Sequence, residues 1–239
     1  MIIRAYAKVN ISLKIKGLLP GGYHEIESFM QALPDLYDVL EIAESDKTEI
    51  SCSDESLSCG EDNLAAKALK AMGRTARVHI EKHIPIAAGL AGGSADAAAV
   101  IYAFLGASDR AYEIAAGLGS DIPFSLYSIQ HQGRAAVLAT GRGTEISPRD
   151  PVSGIIITKT PAVSVPTPLV YREYDKMKEE GYAFPEENHL QAPAIRLFPE
   201  IQETLDELRK PHPVYGMPAI VQQSGSGPTC FALYNTDRR

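Results

Sequence analysis

The chain has 239 residues, enough for one large domain or two modest ones around a real core. Its apolar fraction of 45% and charged fraction of 22% are those of an ordinary soluble globular protein. A formal net charge of -7, with no Lys/Arg cluster, gives no electrostatic support to a nucleic-acid-binding role. The first residues lack the apolar core of a signal peptide, and no run approaches the length of a membrane span. Cys52, Cys59 and Cys230 show no paired spacing, so neither a zinc site nor a disulfide framework is indicated. Reduced thiols and a cytoplasmic location are expected, with no nucleic-acid or membrane partner.

In chain order, Ile2 to Ile15 alternates as a strand, with Ile11, Leu13 and Ile15 on one face and Ser12, Lys14 and Lys16 on the other. Within it, A-K-V-N places Lys8 and Asn10 on the same face, which is most simply a solvated face. Pro-Gly-Gly in Leu18 to Glu25 predicts a turn that delivers Tyr23 and His24, a pair able to stack on and hydrogen-bond a ring ligand, or merely to pack. Ile26–Leu33 and Val39–Ala43 read as strands around a Pro34-Asp35 break, with a further strand at Glu49–Ser53. Asn63 to Gly73 reads as a short amphipathic helix, capped by Asp62 or Asn63 and stopped by Gly73. Ala76–Ile84 reads as a strand; His79 and His83 have a metal-binding spacing only on a helix, and Val78 and Ile80 argue against one.

Pro85 to Ala98 then reads P-I-A-A-G-L-A-G-G-S-A-D-A-A. A glycine loop, Pro85 to Gly93, feeds an Ala-rich helix from Ser94 to Leu105, with Ser94 as the predicted N-cap. That geometry gathers unpaired N–H groups and the positive end of a helix dipole, which favours an anion such as a phosphate. A tight loop before a buried helix is the bland alternative, and the spacing is neither a Walker A loop nor a Rossmann turn. Ala111–Leu118 reads as a second small helix, and Asp121, before Pro123, as the head of a new turn or helix, where an Asp is usually a cap. Ala135–Leu138 and Ile155–Lys159 read as strands; the polar stretch between them suggests a domain boundary near Asp150. Pro161, Pro166 and Pro168 predict a stiff, extended segment from Thr160 to Arg172, and Pro199–Leu208 reads as a helix. Gln223 to Tyr234 is a second glycine turn followed by a strand.

A-K-V-N, P-I-A-A-G-L-A-G-G-S-A-D-A-A and S-G-S-G-P-T-C-F, in that order, resemble the motifs of the GHMP kinase superfamily, which includes galactokinase and the homoserine, mevalonate and phosphomevalonate kinases. A-K-V-N-I-S-L, G-G-Y-H-E-I, G-S-D-I-P-F and V-S-V-P-T-P-L-V-Y narrow it, over about Ile3 to Tyr234, to the family of kinases for 4-diphosphocytidyl-2-C-methyl-D-erythritol (CDP-methylerythritol). The resemblance implies an α+β fold in two domains with the site in the cleft between them. Residues 1–150 would form a ribosomal S5 domain-2-like ATP-binding domain, and residues 151–239 a ferredoxin-like domain. It implies ATP-dependent phosphorylation of the 2-hydroxyl of CDP-methylerythritol in the non-mevalonate route to isoprenoid precursors, with Mg²⁺ alongside ATP, as a monomer or homodimer.

The same resemblance assigns residues. Lys8 and Asp121 fall on the catalytic pair, a carboxylate to accept the hydroxyl proton and an ammonium to hold it. Pro85, Ile86, Ala87, Ala88, Gly89, Leu90, Ala91, Gly92, Gly93, Ser94 and Ala95 would wrap the ATP phosphates, with Ser94 the candidate ligand of Mg²⁺. Asn63, Leu64 and Lys82 would lie around the adenosine. Tyr23 and Tyr171 would sandwich the cytosine, His24 would pair with its polar edge, and Thr167 would assist. Asn10 would reach the methylerythritol end, and Gly225, Ser226 and Gly227 the diphosphate or reacting end. Tyr171 stands where the family often has Phe, and Ala91 where many relatives have Gly. The chain ends at Arg239, before the further helix and strand of the family pattern, so either this version is trimmed or its second domain is expected to leave a sheet edge open. Two other functions fit the same fold: a kinase for an alcohol without a base, which would need neither G-G-Y-H nor P-T-P-L-V-Y, and a non-catalytic nucleotide-binding protein, which would need neither Lys8 nor Asp121.

Overall fold

A computed structural model describes residues 1–235. Two long antiparallel strands, β1 (Ile2–Leu18) and β2 (His24–Glu44), form its spine. β2 continues through Pro34-Asp35, where the sequence predicts a break. The register with β1 jumps there from Tyr6↔Tyr37 to Ala7↔Leu33. The extra residues bulge out, so the N–H that proline lacks is not needed for the ladder.

β3 (Glu49–Cys52) pairs in parallel with β4 (Ala76–Glu81), and β4 pairs with the end of β2. Between β3 and β4, helix α1 (Leu64–Met72) starts at Asn63, whose side chain caps the Ala65 N–H at 2.8 Å, and stops at left-handed Gly73, as the local chemistry predicts. α2 (Gly92–Leu105) is buried on all sides from Ala95 to Ile101, against β1, β2 and α1. α3 (Asp109–Leu118) and α4 (Ile122–Gln130) complete this helical layer.

β5 (Ala136–Thr140) joins β2, and β6 (Glu145–Arg149) pairs with β5. β6 lies inside the polar stretch that reads as a linker; on the sheet's edge, a mostly exposed strand needs no apolar alternation.

The second sheet has the order β7 (Ile155–Lys159), β9 (Cys230–Tyr234), β8 (Ile220–Gln223), all antiparallel. Three helices lie between β7 and β8: α5 (Thr167–Glu179), α6 (Gln191–Leu197) and α7 (Glu200–Leu208). Two of these correct the sequence reading. The segment expected to be extended to Arg172 turns helical at Thr167, because Pro168 falls in the first turn, where a missing N–H costs no bond. Pro193 occupies the same part of α6, which the sequence does not reveal.

Strand alternation divides β9 between two cores. Phe231 packs with β1 and α2, while Cys230, Ala232 and Tyr234 pack with α5, α6 and α7. The β1–β2 ribbon is divided along its length: Ala7, Val9 and Ile11 belong to the first core, Leu13, Ile15 and Ile26 to the second. Lys8 and Asn10 therefore sit where the two cores meet. No helix of the described residues is long and apolar enough to cross a membrane.

Candidate active site

A cleft of about 880 Å³ opens beside this junction. Its floor is β1. Lys8 and Asn10 are only 5% and 2% exposed, so they do not form the solvated face that a Lys and an Asn two apart on a strand suggest. Lys8 Nζ donates to Asn10 Oδ1 (2.7 Å) and to the Gly89 carbonyl (3.1 Å), and lies 3.5 Å from Asp121 Oδ2. The three donors of the ammonium thus tie together β1, the glycine loop and the start of α4. Asn10 is held in turn by Ser28, which accepts from Nδ2 at 2.7 Å.

Asp121 stands at the N-cap position of α4, but its side chain makes no capping bond. Its carboxylate instead faces Lys8 and the cleft. The usual explanation for an Asp at this position therefore does not apply.

The glycine loop corrects the sequence reading in one respect. α2 begins at Gly92, and its N-cap is Ala91, in the left-handed conformation at φ 62°. Ser94 lies inside the first turn and lines the cleft without capping the helix. The first helical bond runs from the Ala95 N–H to the Ala91 carbonyl at 2.8 Å, so the N–H groups of Gly92, Gly93 and Ser94 precede the ladder at the cleft wall. Ala91 holds a left-handed position at a cost of about 1–2 kcal/mol.

The opposite wall comes from β2, the β5–β6 turn and α5. Tyr23 is 59% exposed at the rim, with the Arg142 guanidinium over its ring at 5.2 Å. His24 stacks at a tilt on Tyr171, with ring centroids 4.9 Å apart. Burial raises the Tyr171 phenol above its usual range, and the charge of Asp121 adds to the effect, so this ring stays protonated within the field of the Lys8–Asp121 pair. Thr167 Oγ1 and Ser226 Oγ are 2.8 Å apart.

The family model for the GHMP kinases N terminal domain matches residues 63–128, and that for GHMP kinases C terminal matches residues 171–239. The 4-diphosphocytidyl-2-C-methyl-D-erythritol kinase of Synechococcus sp. (strain CC9902) is 33% identical, over 98% of this chain and 87% of the relative. That of Bacillus pumilus (strain SAFR-032) is 35% identical, over 96% and 86%. The chain belongs to the 4-diphosphocytidyl-2-C-methyl-D-erythritol kinase family. A crystal structure of 4-(cytidine 5'-diphospho)-2C-methyl-D-erythritol kinase matches it with a TM-score of 0.72 at 30% identity, covering 98% of this chain and 90% of that one. Phosphomevalonate kinase of Streptococcus pneumoniae, at 14% identity and a TM-score of 0.63, shares the fold alone. The α+β, two-domain GHMP kinase fold expected from the motifs is the fold of this chain.

Most of the residues that the family resemblance singles out line this one cleft, from Lys8 and Asn10 to Gly225, Ser226 and Gly227. Three need comment. Asn63 lies outside the cleft lining and is engaged by its own helix and turn: Oδ1 accepts from the Ala65 N–H, Nδ2 donates to the Ser58 carbonyl at 2.7 Å, and its backbone N–H and carbonyl are bonded to Gly60 (3.1 Å) and Lys67 (3.0 Å). Ala95 is buried beneath the cleft wall. Lys82 reaches the cleft, but its ammonium is engaged by Asp38 and Asp96. The sequence reading misses Asp38, Asp96, Arg142, Asp175 and Asn188. Asn188 is fully buried and donates to the carbonyls of Gln223 (3.0 Å) and Gly225 (2.8 Å), which sets the second glycine turn against β1.

That turn meets the first one at Gly89 and Gly227. A Cβ on Gly89, which has φ +79°, would lie 2.6 Å from the Gly227 Cα. Gly89→Ala is expected to cost about 1–3 kcal/mol through forced separation of the two loops, and to raise the KM for ATP. Thermal unfolding and ATP titration check this; an unchanged Tm would mean the loops need not touch.

Proposed function

We propose that this chain transfers the γ-phosphoryl group of ATP to the 2-hydroxyl of CDP-methylerythritol, in the non-mevalonate route to isoprenoid precursors. The observation that carries this reading is the sharing of one cleft by an acid–base pair, a helix N-terminus and an aromatic wall with a histidine edge. Residues 1–150 would supply the ATP half and residues 151–239 most of the rest.

The N–H groups of Gly92, Gly93 and Ser94 would receive the phosphates of ATP, aided by the dipole of α2. The acceptor hydroxyl would lie between Asp121 and the γ-phosphorus. Asp121 takes its proton, the oxygen bonds to phosphorus, and the bond to the β-phosphate oxygen breaks to release ADP. Lys8 holds Asp121 in place and offsets the charge that develops nearby. His24, Tyr23 and Tyr171 would hold the cytosine, and Arg142, which lies over Tyr23 and lines the cleft, would supply a cation for the acceptor's phosphates.

Mg²⁺ fits the donor set. It is held by few protein oxygens beside the substrate phosphates and its own waters, and the cleft offers the Ser94 hydroxyl and the Asp121 carboxylate. No group of three or more His, Cys, Asp or Glu able to cage a metal occurs among the described residues. Ser94 would hold the ion that arrives with ATP, and the ion would neutralise phosphate charge.

The test is ADP release with ATP and Mg²⁺, offering CDP-methylerythritol, mevalonate and homoserine in parallel. Turnover with the first alone is expected. Turnover only with another alcohol would keep the Lys8–Asp121 chemistry and sink the cytidine pocket; none with any acceptor would leave a nucleotide-binding protein without transfer activity.

A further inference from the structure

His24 is pinned on three sides. Its ring stacks on Tyr171, meets Tyr174 edge-on at 5.8 Å, and its Nε2 lies 2.8 Å from Asp175 Oδ1. Asp175 follows Tyr171 by one helical turn on α5, so both rise from the same face and both line the cleft. A carboxylate can only accept a hydrogen bond, so Nε2 must carry the proton. In the neutral ring this leaves Nδ1 as a bare acceptor.

An acceptor in that position distinguishes pyrimidines. The exocyclic amine of cytosine donates at position 4, whereas uracil presents a carbonyl oxygen there. Nδ1 would complete a hydrogen bond with the first and oppose a lone pair on the second. A site built around a polar group rejects the analogue that leaves it unpaired far better than an apolar pocket rejects an isostere.

We propose that Asp175 is a positioning residue that fixes the tautomer of His24 and so makes the acceptor pocket select an amino-bearing pyrimidine over a carbonyl-bearing one. The proposal rests on the cytidine reading above and extends it to a residue that the motifs do not contain. Asp175 is 49% exposed, so replacing it should leave the fold intact.

The experiment compares the unaltered chain with Asp175→Ala and Asp175→Glu. CDP and UDP are competed against CDP-methylerythritol, and ¹⁵N spectra of the His24 ring are recorded without ligand. In Asp175→Ala, the loss of one hydrogen-bond-directed contact should raise the KM for the acceptor about five- to tenfold. The preference for CDP over UDP should fall by a similar factor, with kcat and the KM for ATP within about twofold of the original. Asp175→Glu should recover most of both. The unaltered chain should show a bare Nδ1, and Asp175→Ala a mixture of tautomers. An unchanged CDP preference in Asp175→Ala, or a proton on Nδ1 in the unaltered chain, would overturn the proposal while leaving the cytidine reading standing. No preference for CDP in the unaltered chain would overturn both.

Discussion

Asp121→Asn is expected to lower kcat by about 10²- to 10⁴-fold, the range that a positioned general base contributes, with ATP binding changed only slightly. The substitution keeps the shape of the side chain and removes its ability to take a proton. The α4 helix should survive, because Asp121 makes no capping bond that an amide could weaken. Lys8 should also keep its place, since Asn10 Oδ1 and the Gly89 carbonyl still accept from it. Steady-state ADP release and a fluorescence titration with ATP separate the two effects. If ATP affinity and Tm fell together with kcat, Asp121 would be a structural residue of the junction, and the base would have to be sought elsewhere in the cleft.

What could be read from the sequence, and what could not, follows from how local each interaction is. The ends of α1 were legible because Asn63 and Gly73 do their work within one turn of their own backbone. The Ile11–Lys16 part of β1 was legible because a half-buried stretch alternates, whereas Ala5 to Ile11, buried on both faces, gives no such pattern. The importance of Lys8, Asn10 and Asp121 came only from the family resemblance: nothing within reach of Lys8 along the chain indicates that residues 113 positions away would bring a carboxylate to 3.5 Å. Proline misled twice, at Pro34 and at Pro168, because a bulge and a first helical turn tolerate the missing N–H for tertiary reasons that composition does not carry. Ser94 misled for a related reason. A serine after glycines is a good cap, but here the helix already includes Gly92 and Gly93, with left-handed Ala91 as its cap, and a Cβ on Gly92 would lie only 3.1 Å from Lys82 Nζ. Asp175, Asn188 and the carboxylates around Lys82 are visible only after folding, since each acts on a distant segment.

Those carboxylates carry the second large effect. Lys82→Met is expected to destabilise the chain by about 3–5 kcal/mol, the cost of leaving a buried charge without its partner, and to weaken ATP binding. The Asp38 and Asp96 side chains are 0% and 3% exposed, and the Lys82 ammonium lies between them, bonded to Asp38 Oδ2 and to Asp96 Oδ2 at 3.0 Å. Asp38 Oδ1 also accepts from the backbone N–H groups of His83 (2.6 Å) and Ile84 (2.8 Å), just before the glycine loop leaves the sheet, and Asp96 sits in the second turn of α2. The cluster therefore fixes both ends of the proposed phosphate cradle. Burial alone would lower the Lys82 pKa, but the two carboxylates outweigh it and raise it, so the lysine stays charged. One ammonium does not satisfy two carboxylates. Burial, with the charge of Asp38 added, pushes Asp96 up to about 7 against the pull of Lys82. The folded chain therefore holds this proton more tightly than the unfolded chain does, and its stabilising contribution is complete below the usual carboxylate range and lost as pH rises through about 7. Asp96→Asn cannot ionise and should remove that slope. Urea unfolding of the original chain and of Asp96→Asn between pH 5 and pH 8 should show the original losing stability relative to the variant as pH rises. Parallel profiles would mean that Lys82 keeps both carboxylates ionised throughout, and the loss in Lys82→Met should then lie at the upper end of its range.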